Sequence, residues 1–167
     1  EICAVPFKRF PKPDLAYLEK DEIDAILDTP SNRTDQGKRD FALLLFLYNT
    51  GTRASEAARL KISDIRIGGI PSVKIIGKGM KIRHCPLWSL TVKTLEPLIA
   101  GRAPHEPLFL NCRRQSITRF GIHTLIRRSA VRASLIVPSI KEKKIGPHSI
   151  RHTTAVHLLR AGVDINT

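Results

Sequence analysis

Three residues that can bind an anion or move a proton stand close together: His148, Arg151 and His152. Arg151 and His152 follow His148 by three and four residues, so a helix that opens after Pro147 places all three side chains beside its free first-turn amides. A guanidinium, an imidazole and the positive end of a helix dipole together can bind a phosphate oxyanion. The alternative is a capped surface helix on which these basic residues share no role.

Arg53 and Glu56 lie in a turn directly after the most apolar segment of the chain. An arginine at the edge of a core usually has a fixed partner, and Glu56, three residues later, can hold its guanidinium in place. The pair is then either a structural salt bridge or part of a phosphate clamp, and these two residues alone favour neither.

A third basic group lies in a predicted hairpin turn and contains Lys78, Lys81 and Arg83. Gly77 and Gly79 flank the lysine at the tip, and glycines without side chains let the backbone approach a ligand closely. A solvated basic turn is the simpler interpretation when the segment is taken by itself.

Metal and nucleotide sites have little support. His148 and His152 have the spacing of a helical zinc pair, but Ser149 stands where the HExxH pattern has its glutamate, and no third ligand is evident. Cys112 and His105 are an equally weak candidate for a metal site. The GKGMK segment is too short for either common glycine-rich phosphate loop. We therefore predict no metal and no cofactor.

The charge distribution points to a polyanionic partner. The 167 residues carry 28 Lys and Arg against 15 Asp and Glu, a net charge of +13. Residues 1–60 have 9 basic and 10 acidic side chains, whereas residues 61–167 have 19 and 5. Nucleic acid is the favoured partner, with an anionic membrane surface or plain solubility as alternatives. Because aromatic residues are only 5%, backbone contact with a duplex is favoured over base stacking on a single strand.

Composition sets the class of protein. The length suits one domain, and no apolar run approaches the roughly 18 residues of a membrane span. Cys3, Cys85 and Cys112 are an odd number and far apart, which fits no disulfide framework and predicts a cytoplasmic protein.

Periodicity predicts a mainly α fold of the α+β class with a small three-stranded antiparallel sheet. Residues 1–17 are proline-rich and are expected to be an interdomain linker, followed by one domain over 18–167. The predicted helices lie at about 18–29, 38–48, 53–60 with Thr52 as N-cap, 90–99, 117–133 and 149–161, and the strands at 65–67, 72–76 and 81–86. Gly162 is placed to end the last helix, and Asp164 to cap another.

Three segments in this order resemble the catalytic domain of the tyrosine recombinases, the phage integrase family: TGTRASEAARLKISDI (50–65), IIGKGMKIRHCPL (75–87) and HSIRHTTAVHLLRAGVDI (148–165). The resemblance covers nearly the whole chain. Within the family, the sequence is most similar to recombinases of mobile genetic elements. It implies site-specific breaking and rejoining of duplex DNA through a 3′-phosphotyrosine, without metal or high-energy cofactor.

The resemblance also implies roles for individual residues. Arg53 and Arg151 match the two arginines that neutralise the reacting phosphate, and Glu56 matches the acid that supports the first. Lys78 matches the hairpin lysine that protonates the 5′ leaving oxygen, and His148 the histidine that orients the phosphate or exchanges protons with it. We expect His152 to support this group, and Lys81 and Arg83 to bind DNA.

The resemblance is incomplete at one essential position. The family pattern continues with an LGH box and a nucleophilic tyrosine, whereas this sequence contains only Tyr17 and Tyr48, neither at the matching place. We therefore expect a C-terminally incomplete catalytic domain, monomeric alone and homo-tetrameric on DNA in the full-length parent. The alternatives are a noncatalytic DNA-binding remnant and a type IB topoisomerase-like enzyme.

Overall fold

A computed structural model describes residues 17–163. The linker predicted over 1–17, apart from Tyr17, and the helix cap predicted at Asp164 lie outside these residues. The helices are α1 Lys20–Leu27, α2 Asp35–Thr50, α3 Ala54–Ala57, α4 Ser89–Ile99, α5 Arg119–Ala133 and α6 Pro147–Arg160, and the strands are β1 Ile65–Arg66, β2 Ser72–Ile76 and β3 Ile82–Pro86. Short 3-10 turns lie at Ile62–Asp64, Lys78–Met80 and Pro138–Glu142. The mainly α fold with a small three-stranded antiparallel sheet is confirmed.

The central helix α2 is longer than the sequence predicts. It begins three residues earlier because the Thr34 hydroxyl accepts a hydrogen bond from the Gly37 N–H and so caps the first turn. It ends at Gly51, whose left-handed backbone (φ +57°) is strained for residues with a side chain. Its Leu43, Leu44 and Phe46 side chains are fully buried, and the helix packs against α4 and α6.

Other helix starts also differ from prediction, and α1 and α5 begin two residues late, at Lys20 and Arg119. Helix α3 has only four residues, and Arg53, not Thr52, occupies its N-cap position. The Thr52 hydroxyl instead lies 2.6 Å from the Thr50 hydroxyl, so it is taken up by the preceding turn. Helix α6 begins at Pro147, two residues early, because proline is well suited to a first turn whose N–H groups have no helical partner.

The sheet has the order β1-β2-β3 with both pairs antiparallel. Val73 and Ile75 of β2 are fully buried, and they pair with Cys85 and Arg83 of β3. Side chains directly opposite each other on paired strands share one face of a sheet. Arg83 therefore lies on the face that covers the core.

No helix of residues 17–163 is both long and apolar enough to cross a membrane.

Candidate functional site

Arg151 is held where the start of α6 meets the end of α2. Its Nη1 donates a hydrogen bond to the carbonyl of Gly51, the left-handed residue that follows α2. One turn later along α6, the Thr154 hydroxyl donates to the Tyr48 carbonyl at 2.7 Å. Burial lowers the pKa of Arg151, and the nearby positive charges of Arg53 and Arg83 lower it further. The guanidinium is thus fixed beside other cations, as an anion site requires.

Glu56 is the acidic centre of the same region. Its carboxylate is almost completely buried and accepts hydrogen bonds from the Arg53 backbone N–H and from Arg53 Nη1, each at 3.1 Å. The predicted ion pair at i+3 is therefore present. Because Arg53 is the N-cap residue of α3, the carboxylate also satisfies an amide at the start of that helix.

Arg83 contacts Glu56 from the sheet. Its Nη2 donates to Oε2 at 2.7 Å, and its Nη1 to Oε1 at 3.4 Å. Burial alone raises the pKa of Glu56, but the hydrogen bonds from Arg83 and Arg53 outweigh it and lower the pKa to about 2. The carboxylate is consequently charged at any physiological pH.

A groove with a volume of about 1190 Å³ opens beside these residues. Among the described residues that line it, none is acidic and seven are lysines or arginines. The cations come from α3, α5, the loop before α6, and α6 itself: Arg53, Arg119, Arg127, Lys141, Lys143, Lys144 and Arg151. His148 and the apolar Phe120, Val131 and Ile145 also line it. A groove of this charge can hold a strongly anionic polymer.

The structure brings together only some of the predicted residues. Arg53, His148 and Arg151 line the groove, and Glu56 forms an ion pair with Arg53. His152 lies elsewhere, with its ring edge-on to Tyr17 at a centroid distance of 6.2 Å. The expected convergence of three residues at the start of α6 therefore holds for His148 and Arg151 but not for His152.

The hairpin residues lie to one side of the groove. Lys78 and Lys81 are exposed on the tip, which Gly79 turns with a left-handed backbone (φ +69°). Arg83 is directed at Glu56 and does not extend freely toward a ligand. The DNA-binding role expected for Lys81 and Arg83 stays a prediction. In the structure the guanidinium of Arg83 forms an ion pair with Glu56.

Several groove residues are basic positions of the sequence that were not predicted as site residues. Arg119, His123 and Arg127 on α5 are spaced by four residues, so the helical period alone could have grouped them on one face. The loop lysines could not be placed by such a rule, since a loop has no fixed period. Within residues 17–163, no three His, Cys, Asp or Glu side chains group in a way that could hold a metal ion.

Comparison with known proteins gives consistent matches. The family described as Phage integrase family matches residues 16–167. Tyrosine recombinase XerC of Oceanobacillus iheyensis is 36% identical over 165 residues, covering 93% of this chain and 52% of the relative. Tyrosine recombinase XerD of Staphylococcus epidermidis is 33% identical over 155 residues, covering 89% and 50%. The chain thus spans about half the length of the curated relatives it matches.

Solved structures share the fold. XerA recombinase superimposes with a TM-score of 0.75 at 28% identity, covering 96% of this chain and 55% of that one. XerH site-specific recombinase bound to its difH substrate, in a pre-cleavage complex, gives a TM-score of 0.70 at 23% identity, covering 95% and 46%.

Proposed function

The chain belongs to the phage integrase family, and from that premise we propose that it forms the catalytic domain of a site-specific recombinase that breaks and rejoins duplex DNA. One observation carries the proposal. The guanidiniums of Arg53 and Arg151 border the same cationic groove, and each is fixed by the protein itself. Fixed donors of this kind stabilise a phosphoryl transition state because they need no reorganisation when charge develops.

The proposed reaction is attack of a tyrosine hydroxyl on a DNA phosphodiester. The tyrosine hydroxyl gives up its proton to a base as its oxygen forms a bond with phosphorus. The bond to the 5′ oxygen breaks, and the 5′ strand leaves as a free hydroxyl after it gains a proton. Arg53 and Arg151 would bind the nonbridging oxygens, where negative charge grows. Lys78 would give the proton to the 5′ oxygen, and His148 would orient the phosphate or exchange protons with it.

The nucleophile is assigned to neither tyrosine of this chain. Tyr48 is buried in α2, and its hydroxyl lies 2.7 Å from His157 Nδ1. Tyr17 packs against Arg160, which donates a hydrogen bond to its hydroxyl at 3.0 Å. Neither lines the groove that holds Arg53 and Arg151.

The proposed partner is double-stranded DNA in the cytoplasm. Of the seven groove cations, Arg53 and Lys143 pair with carboxylates, and the other five make no ion pair with a described residue. These five and a net charge of +13 favour contact with a phosphate backbone. Recombination joins two DNA sites, so we propose that the full-length protein acts as a homo-tetramer on DNA and that this chain alone is monomeric.

The test is formation of a covalent 3′ adduct between the full-length protein and a nicked target duplex. Arg151→Ala should reduce the rate of adduct formation at saturating DNA by about 100-fold or more, because one fixed oxyanion donor is lost. The matched control is Arg66→Ala, which removes an exposed arginine from β1 of the sheet and should leave the rate within about twofold.

The same assay separates the other interpretations. Adduct formation by Arg151→Ala at the wild-type rate would contradict the assignment. Binding without any adduct in the wild type would indicate a noncatalytic DNA-binding protein. Relaxation of supercoiled DNA without preference for a target sequence would indicate a topoisomerase-like activity.

A further inference from the structure

We propose that Arg83 is a positioning residue. Through its ion pair with the buried carboxylate of Glu56, it fixes the position of the hairpin that carries Lys78 relative to Arg53. The inference rests on the proposed function for its catalytic consequence. Its geometric content concerns three side chains in the DNA-free protein: an arginine on strand β3, a glutamate on α3, and the arginine at the cap of α3.

The direction of the Arg83 side chain comes from the register of the sheet. Arg83 pairs with Ile75, which is fully buried, and its neighbours Ile82 and His84 are exposed. Alternation along a strand therefore turns Arg83 toward the body of the domain. An arginine in this position needs a buried anionic partner, and Glu56 is that partner.

The two arginines divide the carboxylate between them. Arg83 makes the shorter contact, 2.7 Å from Nη2 to Oε2, whereas Arg53 donates from its backbone N–H and from Nη1. Among the described residues, Nη1 is the only guanidinium nitrogen of Arg53 that donates a hydrogen bond to the protein. Because Arg53 uses only one guanidinium nitrogen on Glu56, its Nε and Nη2 donors stay available for a phosphate.

The hairpin is anchored at the same point. Its neck is closed by a hydrogen bond of 2.8 Å from the Gly77 N–H to the Lys81 carbonyl. A methyl group added at Gly77 would lie 3.4 Å from both Arg83 Nη1 and Glu56 Oε1, so the neck rests directly on this ion pair. Arg83 follows two residues after Lys81, and its contact with Glu56 therefore fixes where the tip with Lys78 begins.

The charges around Glu56 agree with this role. Three arginines face its neighbourhood: Arg53 from the start of α3, Arg83 from β3 and Arg151 from α6. One carboxylate among three guanidiniums leaves an excess of positive charge, which an incoming phosphate would neutralise. Arg83 lets the carboxylate stay charged and immobile while that phosphate is absent.

The experiment compares Arg83→Ala, Arg83→Lys and the control Lys74→Ala in the full-length protein. Lys74 lies on β2, on the exposed side of the same sheet, so its removal changes the net charge equally without touching Glu56. Two quantities are measured on DNA: the dissociation constant for the target duplex and the cleavage rate at saturating duplex. Two are measured by NMR without DNA: the pKa of Glu56 and the hydrogen-exchange rate of the Gly77 amide.

A positioning role predicts that Arg83 variants change the cleavage rate much more than the dissociation constant for DNA. Arg83→Ala should lower the cleavage rate at least tenfold while the dissociation constant changes less than threefold. It should also raise the pKa of Glu56 toward its ordinary range and speed exchange of the Gly77 amide. Arg83→Lys, which still offers one cationic donor, should recover part of the rate, and Lys74→Ala should match the wild type in all four measurements.

Other outcomes would overturn the inference. Weaker DNA binding at an unchanged cleavage rate would make Arg83 an ordinary backbone contact, and an unchanged pKa of Glu56 would mean that Arg83 does not support the carboxylate. If Arg83→Ala fails to fold, Arg83→Lys decides by the same criteria. If the wild type does not cleave DNA, the proposed function fails, whereas the two DNA-free measurements still decide the positioning geometry.

Discussion

Glu56 and Asp40 are both buried carboxylates that lie between two arginines, yet their pKa values move in opposite directions. The pKa of Glu56 falls from its ordinary value of 4.5 to about 2. Its two oxygens accept four hydrogen bonds, from the Arg53 backbone N–H, from Arg53 Nη1 and from both Nη atoms of Arg83. These bonds require the charged form, and together they outweigh burial.

Asp40 lies on α2 and faces α5. Arg128 Nη2 donates one hydrogen bond of 2.9 Å to its Oδ2. Its Oδ1 lies 2.6 Å from Arg39 Nη2 as an ion pair, but without the geometry of a hydrogen bond. Burial raises the pKa of Asp40 above its ordinary value of 3.8, and the two nearby arginines lower it by less.

The difference shows that an arginine beside a carboxylate does not by itself make a preorganised anion. Glu56 gains a backbone donor because it lies three residues after a helix cap, and it gains a second guanidinium from the sheet. Asp40 has partners of the same type but fewer hydrogen bonds. Of these two carboxylates, the candidate site contains the one whose charged form the protein stabilises.

The largest effect on stability is expected from Glu56→Gln. The neutral amide leaves Arg53 and Arg83 facing each other without a compensating charge, so the free energy of unfolding should fall by about 2 kcal/mol. The partial exposure of both arginines limits the loss. Urea unfolding at neutral pH measures it, and a loss no larger than that of Asp40→Asn would contradict the comparison.

A smaller effect is expected from Asp40→Asn. Since burial already disfavours the charged form of Asp40, a neutral side chain of the same shape relieves that cost while it gives up the contact with Arg128. The free energy of unfolding should fall by less than about 1 kcal/mol. The same urea titration checks this, with the exposed Lys20→Ala as a control that should leave the midpoint unchanged.

A further effect is a change in how the free energy of unfolding depends on pH. Glu56 binds fewer protons in the folded state than in the unfolded state, so its contribution is complete above about pH 4.5 and is lost as the pH falls toward 2. Asp40 has the opposite sign, because its raised pKa makes the folded state bind more protons just above pH 3.8.

The two variants should therefore change, in opposite directions, how steeply the free energy of unfolding falls at acid pH. Glu56→Gln should make the loss of stability between about pH 5 and pH 3 shallower, and Asp40→Asn should make it steeper. Unfolding free energies measured across this range in one buffer series test the pair. Parallel curves for both variants and the wild type would show that neither carboxylate has a shifted pKa.

Local spacing was sufficient for part of the site. The i+3 relation predicted the contact of Arg53 with Glu56, and the turn after Pro147 predicted that His148 and Arg151 point the same way. These predictions hold because neighbours on a short helical turn meet whatever the rest of the fold does. Helix and strand positions followed from periodicity in the same way, with ends that shifted where a cap or a proline decided them.

Other features depend on contacts that spacing does not determine. The role of Arg83 requires the register that pairs it with Ile75, and nothing within the hairpin specifies that register uniquely. His152 shares a helix face with His148 in projection, but its ring packs edge-on against Tyr17 and it does not line the groove. The basic groove likewise exists only once α5 and the loop before α6 are folded together.

The anchoring of α6 on α2 has a consequence for biosynthesis. The bond from Arg151 to Gly51 joins residues 100 positions apart, and the bond from Thr154 to Tyr48 joins residues 106 apart. In the described part of the chain α6 is the last helix to be synthesised, so a nascent chain can form α2 and the sheet long before Arg151 emerges. On a nascent chain the groove therefore has Arg53 and the cations of α5 before Arg151 can join them.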